Sequence, residues 1–342
     1  MRLTRLSTRL ALAVAALAAG PTAAQDVLPN LEYALVDGQR LRLDLFRPAP
    51  AATPPAVVLW VHGGGWCAGA RTPLPADVAP LQADGLAIAA VSYRLTSTTP
   101  DCANANGATW PAQIHDLKAA VRWLRANAAT LGIDGMRIGA WGQSAGAHLA
   151  TTVALSGGSA DLEGSVGPHP GVDSRVAAVV AYYPPTDLLN LGPDFATPPT
   201  NRPDLVAVVD GPGQPHARML AFGGAGEGMG VLRANAANPD PPWPARLALA
   251  QSASPLTHVD VADPPVFLLH GTADLTVPLA QSRRLRDALS LAGVATTYRE
   301  ISGLGHVPPG GAAAAEARTW IRQQLEPAAL FGDGFEPASA AR

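Results

Sequence analysis

The residues from Gly142 to Gly146 fit the pattern Gly-x-Ser-x-Gly, in which a serine lies on a sharp turn between a strand and a helix. The apolar run before them, Met136 to Trp141, predicts a short buried strand, and the run after them, Ala147 to Leu155, predicts an apolar helix. The two glycines are needed because the turn brings the strand and the helix too close together for side chains. The pattern therefore predicts that Ser144 is an activated nucleophile.

A serine hydroxyl is a weak nucleophile at neutral pH, so it needs a base that removes its proton. His306 is the best candidate among the eight histidines, because it lies in a glycine-rich loop between the last predicted strand and the last predicted helix. The histidine needs an acid that fixes its tautomer. Asp274 directly follows the predicted strand Val266 to Leu269 and completes the chain order Ser, Asp, His. The alternatives are that Asp274 only caps a helix and that Asp187, after the preceding strand, is the acid.

The run His62 to Trp66 contains three successive glycines directly after the predicted strand Val57 to Val61. Glycines at this place leave backbone N–H groups open to a substrate. We expect the amides of Gly64, Gly65 and Ala145 to bind the negative charge of a tetrahedral intermediate. A tight turn or a phosphate-binding loop are the alternatives, but the Lys-Ser/Thr pair of a phosphate loop is missing here.

These candidate residues must be positioned by elements that the hydrophobic pattern predicts. Alternating residues on either side of Asp37-Gly38 predict a β-hairpin made of Tyr33 to Val36 and Leu41 to Phe46. Later strands alternate with helices, which predicts an α/β fold with a mostly parallel sheet covered by helices on both faces. The further predicted strands are Val57 to Val61, Ala87 to Tyr93, Met136 to Trp141, Val176 to Tyr183, Val266 to Leu269 and Thr296 to Ile301, and the helices are Pro111 to Ala129, Ala145 to Leu155, Leu279 to Leu291 and Ala312 to Leu325.

Residues 188–254 interrupt this alternation with many prolines and glycines. We expect one domain over residues 25–325, with this insertion acting as a lid over the site, lined by Trp243 or Phe222. The alternative is a surface excursion that does not contact the substrate. The tail at residues 326–342 follows the last predicted helix, and we assign it no role.

The first 24 residues have the features of a secretory signal peptide. Three arginines precede the short apolar run Leu10 to Ala19, and small residues ending at Ala24 offer a cleavage site. A membrane anchor is the alternative, but a span needs roughly 20 apolar residues. We therefore expect a secreted or periplasmic protein without stable membrane insertion.

The composition excludes several classes of function. Only 15% of the residues are charged and the net charge is −3, which argues against nucleic acids and anionic membranes as partners. The spacing of potential ligands predicts no metal site, and no nucleotide fingerprint occurs, so we expect no cofactor. Cys67 and Cys102 are the only cysteines. An oxidising compartment favours a disulfide between them, and two separate buried thiols are the alternative.

Further motifs accompany the serine pattern along most of the chain. They are His62 to Trp66, Ser92 to Leu95, Pro111 to Asp116, Trp141 to Gly146, Ser254 to Val259, Pro264-Pro265, Gly271 to Asp274 and Val277-Pro278. In these motifs the chain resembles α/β-hydrolase esterases of the hormone-sensitive-lipase and feruloyl-esterase-like group, from about Leu31 to about Leu325. Two departures concern Gln143, where an acidic residue is common, and Ala147, where a second glycine is frequent.

This resemblance implies the α/β-hydrolase fold and a serine esterase that works through an acyl-enzyme intermediate. It also implies short acyl, acetyl or feruloyl esters as substrates, either as small molecules or attached to polysaccharides. A serine exopeptidase or amidase on the same fold is one alternative, and a non-catalytic binding protein is another. The sequence does not indicate an oligomeric state.

Overall fold

The computed structural model describes residues 26–99, 101, 102, 104, 106–222 and 227–326. The predicted signal peptide, the tail from residue 327 onward and the glycines at 223, 224 and 226 lie outside this part of the chain. Eight strands form a single sheet within it. They are β1 (Asp26–Val36), β2 (Gln39–Arg47), β3 (Val57–Val61), β4 (Ala87–Val91), β5 (Ile138–Gln143), β6 (Val179–Tyr182), β7 (Val266–Gly271) and β8 (Thr296–Ile301).

The strand order is β1-β2-β4-β3-β5-β6-β7-β8. Strands β1 and β2 form an antiparallel hairpin, β2 pairs antiparallel with β4, and all other neighbours are parallel. Asp37 and Gly38 have φ angles of 48° and 80°, as a two-residue type I′ turn requires. The predicted hairpin and the mostly parallel sheet are therefore confirmed.

The helices occupy the connections between the strands. Within the described ranges no helix is long and apolar enough to cross a membrane. Single 3₁₀ turns occur at Ala79–Gln82, Leu188–Asn190, Pro193–Ala196, Pro203–Leu205 and Pro255–His258. The α-helices are α1 (Ala112–Ala126), α2 (Ala128–Leu131), α3 (Ala145–Leu155), α4 (Ala160–Glu163), α5 (Val206–Val209), α6 (Pro215–Met219), α7 (Met229–Ala234), α8 (Trp243–Ser252), α9 (Ala280–Leu291) and α10 (Gly311–Leu325).

Each face of the sheet carries its own hydrophobic core, because successive strand residues point to opposite sides. Val57, Leu59 and Val61 of β3 pack into the core that contains α1, α3 and α9. Val58 and Trp60 pack into the other core, which contains α10. Strands β3 and β4 are therefore apolar at every position, which is why they read as continuous hydrophobic runs.

The predicted and observed elements differ mainly at their ends. Strand β5 begins at Ile138 and not at Met136. Met136 lies in the preceding turn and is 78% exposed. The Met136 N–H donates to Asp134 Oδ1 over 2.9 Å, so this residue belongs to an Asx turn. Helix α3 begins and ends at the predicted residues, since Ser144 and the polar Ser156 bound its apolar run.

The proline-rich insertion is built from short helices and 3₁₀ turns. Met219, Phe222, Met229 and Leu232 are buried in the same core as α1 and α3. The insertion is thus packed onto the domain through its own apolar side chains. Phe222 contacts the Arg246 guanidinium, which also lies over the Trp243 ring. The lid role of this segment stays a prediction.

Candidate active site

Ser144 lies on the turn between β5 and α3. Its φ and ψ angles are 55° and −125°, a strained conformation for a residue with a side chain. A Cβ atom on Gly142 would lie 2.2 Å from the Gly146 carbonyl oxygen, and one on Gly146 would lie 2.2 Å from the Val61 carbonyl oxygen. Both positions therefore require glycine, and this explains the Gly-x-Ser-x-Gly spacing physically.

Three predicted residues meet at the carboxyl ends of the parallel strands. The Ser144 Oγ and His306 Nε2 are 2.9 Å apart, and His306 Nδ1 and Asp274 Oδ2 are 2.7 Å apart. The Asp274 side chain is fully buried, whereas that of His306 is 21% exposed. The Tyr183 ring packs against the imidazole of His306 at a centroid distance of 4.4 Å. This arrangement can pass the hydroxyl proton to an imidazole whose other nitrogen faces a carboxylate.

The Asp274 carboxylate has a hydrogen-bond partner on each side. Its Oδ1 accepts the N–H groups of Thr276 and Val277 over 2.8 and 2.9 Å. Its Oδ2 lies 3.3 Å from His270 Nε2, in addition to the contact with His306. Burial raises the pKa of Asp274, but the hydrogen bonds from His270 and His306 outweigh it and hold the pKa below its usual range. The carboxylate is therefore ionised at neutral pH.

His270 is a buried neighbour of this carboxylate that the sequence analysis did not assign. Its Nε2 is 2.9 Å from the Val277 carbonyl oxygen and its Nδ1 is 2.7 Å from Ser282 Oγ. Since a carbonyl oxygen only accepts, Nε2 carries the proton. The position of His270 at the end of β7, four residues before Asp274, was the available signal.

The rival acid Asp187 has other partners. Its Oδ2 accepts from Arg284 over 3.0 Å and from the Asn190 side chain over 2.7 Å. It therefore contributes to an ion pair with α9, while Asp274 is the carboxylate that contacts His306. Within the described residues, no group of three or more His, Cys, Asp or Glu side chains is arranged to hold a metal ion.

The glycine run after β3 lies directly against the serine turn. A Cβ atom on Gly63 would lie 2.8 Å from the Gln143 carbonyl oxygen and 3.3 Å from Ser144 Cβ. Gly64 and Gly65 have φ angles of 112° and 57°, in the region that favours glycine. In the described part of the chain, the amides of Gly64, Gly65 and Ala145 donate no hydrogen bond to the protein. Free N–H donors are thus present on both segments that meet at the serine.

The same loop is anchored by a disulfide and by main-chain hydrogen bonds. Cys67 and Cys102 form a disulfide, as predicted, which links the loop to the segment after β4. The Gly64 carbonyl accepts the N–H groups of Cys67 and Ala68 over 3.1 and 3.0 Å, and the Trp66 carbonyl accepts that of Thr96 over 2.9 Å. The disulfide and the bond to Thr96 therefore hold this loop against the segment that follows β4.

Gln143, the unusual residue of the serine turn, is held within the protein. Its Nε2 donates to Asp77 Oδ2 over 2.9 Å, and the Tyr183 hydroxyl donates to its Oε1 over 3.4 Å. Burial raises the pKa of Asp77. Gln143 thus connects the serine turn to the tyrosine that packs on His306, a contact that its position in the motif could not predict.

The strand order, the serine turn and the chain order of the three side chains define an α/β-hydrolase. The chain belongs to the BD-FAE family, whose model matches residues 43–214 and 240–289. The unmatched stretch 215–239 lies inside the insertion and contains α6 and α7. The family is therefore the one that the motifs indicated, and the residues outside its match are 1–42, 215–239 and 290–342.

Individual relatives agree with the family. The esterase LipQ of Mycobacterium tuberculosis is 32% identical over 274 residues, which cover 79% of this chain and 54% of that protein. The chain spans little more than half the length of the curated relatives LipQ and LipC that it matches. A solved truncated carbohydrate esterase from gut microbiota is 28% identical, with a TM-score of 0.68 and coverage of 88% of this chain and 96% of that one. Esterase 2 of Thermogutta terrifontis shares the fold at 23% identity and a TM-score of 0.60, over 88% of this chain and 93% of that one.

Proposed function

We propose that this protein is a serine hydrolase that cleaves carboxylic esters through an acyl-enzyme intermediate. The observation that carries the proposal is the continuous path of hydrogen bonds from Ser144 Oγ through His306 to Asp274 Oδ2. In this proposal Ser144 is the nucleophile, His306 the general base and acid, and Asp274 the group that orients His306. The family membership and the relatives named as esterases support the same reaction.

The geometry supports a sequence of proton transfers with one base. His306 Nε2 takes the hydroxyl proton as Ser144 Oγ bonds to the ester carbonyl carbon, and the carbonyl oxygen becomes an oxyanion. The amides of Gly64, Gly65 and Ala145 donate to that oxyanion. His306 then returns the proton to the leaving alcohol, which leaves an ester on Ser144. Water, deprotonated by the same imidazole, attacks this ester and releases the carboxylic acid.

For the substrate we propose short acyl, acetyl or feruloyl esters, either as small molecules or attached to polysaccharides. The similar gut protein of known structure is a carbohydrate esterase, which supports esters attached to polysaccharides as substrates. Export to the periplasm or the medium would bring the enzyme to such substrates. The disulfide supports export, since disulfides persist in oxidising compartments.

We also propose that the insertion covers one side of the substrate site. The loop from His62 to Trp66 is the candidate oxyanion loop. A Cβ atom on Gly65 would lie 3.4 Å from Pro215 Cβ, so helix α6 lies next to this loop. Arg218 in the same helix donates to the Cys102 carbonyl oxygen. A substrate bound at Ser144 is therefore close to residues 215–218, inside the stretch that the family model does not match.

The decisive experiment compares the protein with Ser144→Ala on a panel of esters. The panel contains nitrophenyl esters of increasing chain length, methyl ferulate, acetylated xylan and an aminoacyl anilide. We expect ester hydrolysis by the protein and a loss on the order of a millionfold in the variant. A serine-directed organophosphonate should label the protein and not the variant. Equal activity of both after purification, or cleavage of the anilide alone, would contradict the proposal.

A further inference from the structure

His148 is a fully buried histidine that the proposed reaction does not use. It lies on α3 one turn after the nucleophile, where its backbone N–H donates to the Ser144 carbonyl oxygen over 3.0 Å. Its Nδ1 is 3.1 Å from the Trp66 indole nitrogen, and its Nε2 is 2.6 Å from the Ala253 carbonyl oxygen. The His148 side chain, on the helix that follows Ser144, thus contacts both the loop after β3 and the segment directly after α8.

The neighbours of His148 allow only one tautomer. An indole nitrogen only donates, so Nδ1 must be without a proton, and a carbonyl oxygen only accepts, so Nε2 must carry one. Burial lowers the pKa of His148 to about 4, so the imidazole is neutral at neutral pH. The rings of Trp66 and Trp110 pack edge-on against it at 5.2 and 5.9 Å. The two hydrogen bonds and the two indole rings therefore fix the orientation of the His148 imidazole.

Trp66 is the residue that makes this contact informative. It directly follows Gly65, and its φ of 60° lies in the left-handed region, although it is not a glycine. A residue with a side chain adopts this conformation only when surrounding contacts hold it. The hydrogen bond from the Trp66 indole to His148 is such a contact, and it joins the loop from His62 to Trp66 to helix α3.

We propose that His148 is a positioning residue that holds the amides of Gly64 and Gly65 in register with Ser144 by accepting the Trp66 indole N–H. Its second hydrogen bond, to Ala253, ties the same unit to the end of the insertion. This inference rests on the proposed function, because it assigns the two amides to the oxyanion. It adds the side chain that keeps those amides in place while charge develops on the substrate.

Two substitutions separate the two hydrogen bonds of His148. His148→Asn places an amide oxygen near the position of Nδ1, so it keeps an acceptor for Trp66 and loses the donor to Ala253. His148→Gln places an amide nitrogen near the position of Nε2, so it keeps the donor to Ala253 and loses the acceptor for Trp66. Each variant loses one hydrogen bond and keeps the other, so they are matched controls for each other.

The measurement is kcat and KM on a nitrophenyl ester, with the thermal midpoint of each variant. We expect His148→Gln to lower kcat by about tenfold to a hundredfold with KM nearly unchanged, less than the loss of a whole oxyanion donor. We expect His148→Asn to keep kcat within about threefold, at a thermal midpoint similar to that of His148→Gln. The reason is that the Trp66 contact, and not the total number of hydrogen bonds, holds the amides that donate to the oxyanion. Trp66→Phe removes the indole donor and should match His148→Gln, and the double variant Trp66→Phe, His148→Gln should lose no more than either single one.

Several outcomes would overturn the inference. Equal losses of kcat in the Asn and Gln variants, or a larger loss in the Asn variant, would mean that His148 acts only through stability. If His148→Gln does not fold, Trp66→Phe decides in its place, and full kcat in Trp66→Phe overturns the inference. If the unmodified protein hydrolyses no ester, the proposed function fails and this inference fails with it. If the unmodified protein hydrolyses esters but the variants give one of the results above, the inference about His148 alone fails.

Discussion

Replacing Asp274 by asparagine tests the candidate site with a change of one atom. Two backbone N–H groups, from Thr276 and Val277, face Oδ1 of this residue. The amide oxygen of an asparagine must take that place, because an NH₂ group would meet two donors there. The NH₂ group then faces His306 Nδ1, where the carboxylate oxygen was. His306 is forced to accept at Nδ1 and to carry its proton on Nε2, so it can no longer take the proton of Ser144.

The expected effect follows from the wrong tautomer. A triad histidine held in this tautomer loses about 10⁴-fold in kcat, which corresponds to about 5 kcal/mol of activation free energy. The assay is the release of nitrophenolate from a short nitrophenyl ester. Labelling by an organophosphonate should slow together with kcat, because both reactions need the serine to lose its proton. The circular dichroism spectrum reports whether the variant is folded.

The matched control is Asp187→Asn, the same change at the rival acid. Asp187 contacts Arg284 and Asn190, not His306, so we expect kcat to stay within about twofold of the unmodified protein. Asp274 does not orient His306 in this way if Asp274→Asn keeps more than about a tenth of kcat, since the expected loss is ~10⁴-fold. The same assignment fails if a folded Asp187→Asn loses as much kcat as Asp274→Asn does.

Three further predictions concern the supports of the site. Gly146→Ala should lower the free energy of unfolding in urea by about 3 kcal/mol or more, because its Cβ would overlap the Val61 carbonyl oxygen. The control Gly158→Ala has open space around the new Cβ and should change this free energy little. Cys102→Ser should lower the free energy of unfolding by about 4 kcal/mol, because the disulfide closes a loop over a separation of 35 residues. Adding a reductant to this variant should not lower its free energy of unfolding further. Folding lowers the pKa of His148 from 6.5 to about 4, so the unfolded chain takes up the proton first as the pH falls. Unfolding free energy should therefore decline between pH 6.5 and about 4, by up to about 3 kcal/mol from this group, and His148→Asn should flatten that decline; equal slopes would contradict the assignment.

The sequence predicted the elements whose signals are local. Strand β3 is apolar at every position, and both β3 and the edge strand β8 begin and end at the predicted residues. The serine, aspartate and histidine could be found because chain order and strand ends determine which side chains can meet. The glycine pattern of the serine turn reports a backbone contact, and such contacts leave a direct mark on the sequence.

The contacts that escaped prediction join residues far apart in the chain. His148 meets Trp66 across 82 positions and Ala253 across 105, and neither separation leaves a periodic signal. Gln143 meets Asp77 across 66 positions in the same way. A buried polar residue reveals that it needs partners, but only the packed fold determines which ones. The helices of the insertion are short and depend on buried contacts with the domain, so their ends could not be predicted from propensity.

The close approach of Gly146 to the Val61 carbonyl and of Gly63 to the Gln143 carbonyl has a consequence for how this protein can vary. The nucleophile turn and the candidate oxyanion loop meet through main-chain atoms, which are identical whatever side chains surround them. These two contacts therefore do not depend on the side chains of the insertion. Contacts of this kind tie the geometry of the site to the backbone, and residues 215–239, which the family model does not match, lie outside those contacts.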